Sequence, residues 1–237
     1  MVLPLHDDNP TTIRPYLTVG IIVACALVYV VQHLLLSPVG AQQAAYALGL
    51  IPAVLTGREV LPPEIALLPP TATVFSSMFL HGGFWHLAGN MWFLWIFGNN
   101  VEDAMGHVRF IFFYVLCGVA AVVAQVLPNP GSIVPMVGAS GAISGVLGAY
   151  MLLYPRARVL LGLPVGFLIV QIGRFPAVWV LASWFALQLV MAIASGAEVP
   201  GQTEGRIAFG AHIGGFVAGV LLVTIFKRRG VPLWRQH

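Results

Sequence analysis

Charge is what this sequence has least of: Asp, Glu, Lys and Arg together make up 8% of its 237 residues, against roughly 25% in a soluble domain. That scarcity, with 59% hydrophobic residues, excludes a chain whose whole surface faces water. Cysteine is nearly absent too. Cys25 and Cys117 lie inside apolar runs, which excludes a disulfide framework and a thiolate metal site and leaves them as inert packing residues. The acidic residues Asp7, Asp8, Glu59, Glu64, Glu102, Asp103, Glu198 and Glu204 all fall in loops or at the ends of apolar runs. No carboxylate is therefore available in mid-membrane to couple ions or to complete a buried acid–histidine pair. Lys and Arg are scattered at segment ends with no basic stripe beside aromatics, so nucleic acid is not an expected partner. Repeats and low-complexity tracts are missing as well, which points to one domain.

What remains is a series of long apolar stretches. A bilayer core about 30 Å thick needs roughly 20 apolar residues of helix. Six segments qualify: Tyr16–Leu36, Phe84–Met105, Val108–Leu127, Val137–Tyr154, Phe175–Ser195 and Ile207–Phe226. The expected fold is an all-α membrane protein, a six-helix bundle over residues 16–226, with a short N-terminal segment 1–15 and a basic tail 227–237. Placing both termini in the cytoplasm puts Arg14, Arg109, Arg156, Arg158, Arg174, Lys227, Arg228, Arg229 and Arg235 inside and only Arg58 and Arg206 outside. Nine against two satisfies the positive-inside rule. The N-terminus, with His6, Asp7, Asp8 and several prolines, lacks the basic and short apolar regions of a cleavable signal, so the first span is expected to be retained. The connection Ser37–Thr73 is too broken by Pro and Gly to span, and Val159–Gly173, with Gly162, Pro164 and Gly166, reads as an inner interfacial segment.

Polar side chains inside such spans need partners and signal function. Three clusters meet that description. His81-Gly-Gly-Phe-Trp-His86-Leu-Ala-Gly-Asn90 opens the second span, with His86 and Asn90 on one helix face. Gly138-Ala-Ser140-Gly-Ala-Ile-Ser144-Gly145 follows a Pro- and Gly-rich loop, Pro128–Pro135, so Ser140 stands where irregular backbone becomes helix. Free N–H groups there suit a developing oxyanion. Ala211-His212-Ile-Gly-Gly215-Phe-Val-Ala-Gly219 lies in the sixth span. The second, fourth and sixth spans run in the same direction, and their polar residues all fall in the first halves. From Arg206 to His212 is about 9 Å of helix, a depth matching that expected for Ser140 and His86.

A serine becomes a useful nucleophile when a neutral imidazole takes its proton, which makes His212 the candidate base for Ser140. With no buried carboxylate, a Ser–His dyad fits better than a triad. Glu204, two turns outward, is a minor candidate for assisting His212.

In that order, His-x-x-x-Asn, Gly-x-Ser-Gly and Ala-His-x-Gly-Gly resemble the motifs of the rhomboid intramembrane proteases, over roughly residues 70 to 226. The resemblance implies that Ser140 is the nucleophile and His212 the general base and acid. It implies that His86, Asn90 and the Ser140 N–H form the oxyanion hole, and that Gly138 shapes the active-site turn. Phe97-Gly-Asn-Asn-Val-Glu102 resembles the family's inner end of the second span, with Glu102 in a structural role. Two departures stand out: Ser144 replaces an aromatic residue one turn after the nucleophile, and no Trp-Arg pair occurs in the first outer loop.

The implied activity is a serine endopeptidase that cuts peptide bonds in or beside the transmembrane segments of membrane proteins, in contact with lipid, without cofactor or metal, and in a bacterial inner membrane. Two other classes compete with it. A catalytically silent scaffold binding transmembrane helices would be expected to lack the serine or histidine, and a small transporter using His86, Asn90 and His212 would need a charged group in mid-membrane. Helix packing through Gly141/Gly145 and Gly215/Gly219 is the plain alternative for Ser140 and His212. His81 is expected to make a structural hydrogen bond, His107 to be solvated, and Trp85, Trp92, Trp95, Trp179 and Trp184 to face lipid or interface.

Overall fold

The computed structural model describes residues 2–166, 168–195 and 208–235. Glu198, Glu204, Arg206 and Ile207, where the sixth span was expected to begin, lie outside the described residues. In chain order the elements are β1 (Leu3–Asp7), α1 (Tyr16–Val30) with a π-helical continuation (Val31–Leu35), α2 (Pro38–Leu48), α3 (Pro52–Leu55), α4 (Thr73–Ser76), α5 (Phe84–Met105), α6 (His107–Val126), α7 (Ser140–Leu153), β2 (Arg158–Val165), β3 (Leu168–Pro176), α8 (Ala177–Ser195) and α9 (Phe209–Phe226).

Among the described residues, four helices are long and apolar enough to cross a bilayer: α1 with its π-helical continuation, α6, α8 and α9. The chain is a mostly helical, integral, multi-pass membrane protein. The 22-residue α5 is long enough but carries buried Asn90, Asn100, Glu102 and Asp103. At 14 residues, α7 is about 21 Å long, shorter than its neighbours. It is buried at nearly every position from Gly141 to Leu153, which makes it the central helix of the bundle.

The expectation of an all-α fold needs correction. Val159–Gly173, read as an inner interfacial segment, falls in the β2–β3 hairpin, which also takes in Phe175 from the start of the expected fifth span, and β1 adds to it in the antiparallel order β1-β2-β3. Gly166, with φ +62, permits the tight reversal between the two strands. The residues that break a helical reading are thus those that a hairpin uses. The connection Ser37–Thr73 also holds more structure than its Pro and Gly content suggests. Ser37 caps α2 by accepting the Gly40 N–H at 3.1 Å, and Pro38 occupies the first turn, where its missing N–H costs nothing. Beyond α2, Leu50 and Met136 exchange backbone bonds at 3.0 and 2.7 Å, so this connection is stitched to the loop that leads into α7.

The far end of α5 is a polar anchor. Pro15 precedes α1 without offering a side-chain cap, so the helix's first N–H groups need acceptors from elsewhere. Fully buried Glu102 supplies them, accepting from Leu17 N–H at 2.9 Å, Thr18 N–H at 2.8 Å and the Thr18 hydroxyl at 2.7 Å. A negative charge at a helix N-terminus also complements the helix dipole. His107, expected to be merely solvated, bonds the same carboxylate at 2.6 Å. Next to it, Asp103 accepts from the Thr12 N–H and hydroxyl at 2.9 and 2.7 Å and from Arg228 at 3.1 Å. Two adjacent carboxylates thereby tie the N-terminal segment, α1, α6 and Arg228, just beyond α9, to α5.

Further along α5, Trp92 is not only a packing residue: its indole N–H donates to the Pro4 carbonyl at 2.6 Å, holding β1. Tyr150 of α7 donates to Asp7 at 2.6 Å from the other side.

Contacts between α5 and α7 advance together along both helices. His86 lies beside Gly138, Phe97 packs edge-on against Tyr150 at 4.9 Å, and Tyr154 donates to the Asn100 carbonyl at 3.3 Å. The α7–α9 contact likewise steps from Gly141/Gly215 to Gly145/Gly219. All three helices therefore run in one direction, and their first turns meet at one end.

Candidate active site

Ser140 is the first residue of α7. The first bond of that helix's ladder runs from Ile143 N–H to the Ala139 carbonyl at 3.0 Å, which leaves the Ser140 N–H outside the ladder. The turn before it is set by Gly138, with φ +124 and its N–H donated to the Ser77 carbonyl at 2.9 Å. A Cβ at Gly138 would lie 2.8 Å from the His86 imidazole and 3.8 Å from Ser140 Oγ. Only glycine fits between these two groups.

His212 sits in the first turn of α9, and its Nε2 is 2.8 Å from Ser140 Oγ. Two helices approach closely enough for this because side chains are missing between them. A Cβ on Gly215 would overlap the Gly141 carbonyl, and one on Gly219 would overlap that of Gly145. Glycine packing and the serine–histidine contact, which sequence reasoning set against each other, belong to the same interface.

The other ring nitrogen identifies a residue that sequence reasoning missed. His212 Nδ1 is 2.7 Å from Gln188 Oε1 on α8. An amide oxygen only accepts, so Nδ1 carries the proton and Nε2 turns its lone pair to the Ser140 hydroxyl. The signal was present in the sequence: Gln188 is a lone amide in the middle of an apolar span, the same kind of anomaly that marked His212. Trp184, one turn before Gln188, lies over the imidazole with ring centres 6.0 Å apart and planes at 35°. The Ser144 hydroxyl, one turn after Ser140, bonds back to the Ser140 carbonyl at 2.7 Å.

His86 is oriented by its own loop: the Gly82 N–H points at its Nδ1 from 3.4 Å, which leaves Nε2 as the protonated nitrogen on the Gly138 side. Asn90 shares the His86 face, but its amide nitrogen donates to the His86 carbonyl at 2.8 Å, so one of its two N–H groups is engaged within α5. Fully buried His81 makes structural bonds, its Nδ1 to the Phe79 carbonyl at 3.2 Å and its own carbonyl to His33 at 2.8 Å.

Behind Ser140, a cavity of about 40 Å³ opens between α6 and the loop before α7, lined by Met78, Gly118, Val122, Met136 and Ala142. It is small, and Ser77 and Ser140 are also on its wall.

The arrangement thus joins a hydroxyl at a helix start, a neutral imidazole in the tautomer that accepts its proton, and a second imidazole N–H nearby. It can carry out acyl transfer.

The family description "Rhomboid domain" matches residues 70–229. Rhomboid protein 1, mitochondrial, of Saccharomyces cerevisiae is 31% identical over 153 residues, covering 63% of this chain and 40% of that protein. The human presenilin-associated rhomboid-like protein, mitochondrial, is 28% identical over 171 residues, covering 68% of this chain and 41% of that protein. RHOMBOID-like protein 1 of Arabidopsis thaliana is 30% identical over 156 residues, covering 66% of this chain and 34% of that protein. The chain thus matches about two fifths or less of the length of each. All three are eukaryotic, and the expected bacterial inner membrane draws no support from them. The match to the family's domain covers well over half of the sequence and includes all three motif-bearing helices: this chain belongs to the rhomboid family.

Proposed function

We propose that the chain is an intramembrane serine endopeptidase, hydrolysing peptide bonds in or next to transmembrane segments of other membrane proteins through Ser140 and His212. The observation that carries the reading is the 2.8 Å contact between Ser140 Oγ and His212 Nε2, with the proton of the imidazole held on the opposite nitrogen. Ser140 Oγ attacks the scissile carbonyl carbon while His212 Nε2 takes the hydroxyl proton. Negative charge moves to the carbonyl oxygen, where the Ser140 N–H, His86 and the free N–H of Asn90 stabilise it, with Gly138 keeping the approach open. His212 returns the proton to the departing amine. Water, deprotonated by the same imidazole, then releases the acyl group from Ser140.

A helical peptide bond is shielded by its own hydrogen bonds, so the substrate must unwind at the cut, which favours small or helix-breaking residues there. The proposed frame is six spans over residues 16–226, with segment 1–15 and tail 227–237 both cytoplasmic. The nine-to-two distribution of basic residues supports that orientation. Membrane lipid and substrate transmembrane segments are the proposed partners.

The test uses the purified protein in detergent with a single-span model substrate. Wild type should cleave, whereas Ser140→Ala and His212→Ala should not. Cleavage by either variant at the wild-type rate removes the dyad.

A further inference from the structure

The imidazole of His212 faces three helices, and what each presents to it differs. From α7 comes Ser140 and from α8 come Trp184 and Gln188, while a titratable group close enough to interact electrostatically, His86, comes from α5. On the α6 side, Gln125 is engaged with the Ala211 N–H at 3.1 Å. Among the described residues no carboxylate reaches the ring. An imidazole with one partner can rotate about its Cβ–Cγ bond and can carry its proton on either nitrogen. A base that must accept from Ser140 needs a second contact that excludes the wrong tautomer.

We propose that Gln188 is a positioning residue for the base: its Oε1 atom, 2.7 Å from Nδ1, holds His212 in the tautomer and ring plane that face Ser140. This rests on the dyad reading above and goes beyond it. Gln188 is only 8% exposed in a helix that is otherwise the most open of the four spanning ones, with 17% of its apolar window buried against 39% for α6. A polar side chain taken out of lipid and aimed at one imidazole is best explained by that bond, since an amide left unpaired there costs more than it gains. Trp184, four residues earlier, lies on the same face of α8 and covers the ring beside it, and Phe185 stacks on Phe216 of α9 at 4.3 Å. Orientation of the base is consequently tied to the docking of α8 on α9. A neutral amide does the orienting task that a carboxylate performs in a triad, without burying a charge in the bilayer.

The experiment compares wild type with Gln188→Leu and Gln188→Glu in detergent, reading kcat and KM against pH on a single-span substrate and the rate of fluorophosphonate labelling at Ser140. Leucine should lower kcat by about 10- to 100-fold, a part of what general base catalysis supplies, with KM unchanged and labelling slowed in proportion. Glutamate should retain turnover and move the acid limb of kcat to higher pH, because a carboxylate at Nδ1 favours the imidazolium. Unchanged kcat in Gln188→Leu, or a rise in KM alone, overturns the proposal while leaving the dyad intact. Should Gln188→Leu fail to fold, the glutamate variant decides, and an unshifted acid limb overturns the proposal. Wild type that neither cleaves nor labels overturns the dyad reading itself.

Discussion

Gly215 of α9, three residues after His212, rests directly on the carbonyl of Gly141, one residue after Ser140. The spacing of the proposed catalytic pair is therefore set by backbone against backbone. Gly215→Val should push the helices apart, and a misplacement of about 1 Å costs on the order of 100-fold in rate. Cleavage assays should show that loss, while Gly20→Ala, where an added Cβ meets nothing within 4 Å, should leave the rate unchanged.

Gly138 combines φ +124 with a Cβ position 2.8 Å from the His86 ring. Gly138→Ala should lower kcat by displacing His86 and should cost about 1–3 kcal/mol of stability through backbone strain. Turnover measured beside thermal unfolding in detergent checks both effects. Wild-type turnover in the alanine variant would show that His86 can move without consequence.

Asn90 has one N–H engaged with the His86 carbonyl and one left for an oxyanion. Asn90→Ala is expected to reduce kcat by about 100-fold with little change in KM. Equal turnover would assign Asn90 to packing within α5.

Glu102 accepts three hydrogen bonds from the start of α1 and lies 2.6 Å from the His107 ring nitrogen. Glu102→Gln replaces one acceptor oxygen by a donor and should destabilise the protein by about 2–3 kcal/mol. The Ser140–His212 contact, at the opposite end of α5, should survive, so fluorophosphonate labelling below the melting temperature should stay normal. A loss of labelling without a loss of stability would move Glu102 into the catalytic machinery.

Burial raises the Asp7 carboxyl above its ordinary value, and this outweighs the Tyr150 hydrogen bond, which favours the charged form. An acid with a raised folded-state pKa contributes stability that is full below its unfolded pKa, near ~3.9, and lost as pH rises through the folded value. Thermal stability in detergent should thus carry a component that falls as pH rises above about 4. Asp7→Asn, neutral throughout, should abolish that component, and an unchanged pH profile in the variant would refute the assignment.

Long apolar runs made the helices legible before any coordinates, because a segment apolar on every side can only be helix in lipid. The bounds of α5, Phe84 to Met105, coincide with the expected span. Residues 158–176 were not legible in the same way. Their apolar side chains remain exposed on β3, so no alternation between buried and exposed positions marked the strands. The three motifs pointed to Ser140, His212 and His86, but not to the partner of His212 Nδ1: Gln188 stands out as a lone amide in an apolar span, yet it is 24 residues away on another helix and nothing in the sequence pairs it with His212. Trp184 and Trp92 were read as generic membrane aromatics because an indole's particular neighbour is a matter of tertiary packing.

The glycine seam between α7 and α9 divides the molecule into a part that cannot vary and a part that can. Spacing of the proposed nucleophile and base depends on backbone contact along this seam, whereas the ring plane of His212 depends on Gln188 and Trp184. Under the proposed activity, divergence in which transmembrane segments are accepted is left to the faces of α8 away from Gln188 and Trp184 and to the connections around Ser140, so lineages can change diet while keeping the same blade.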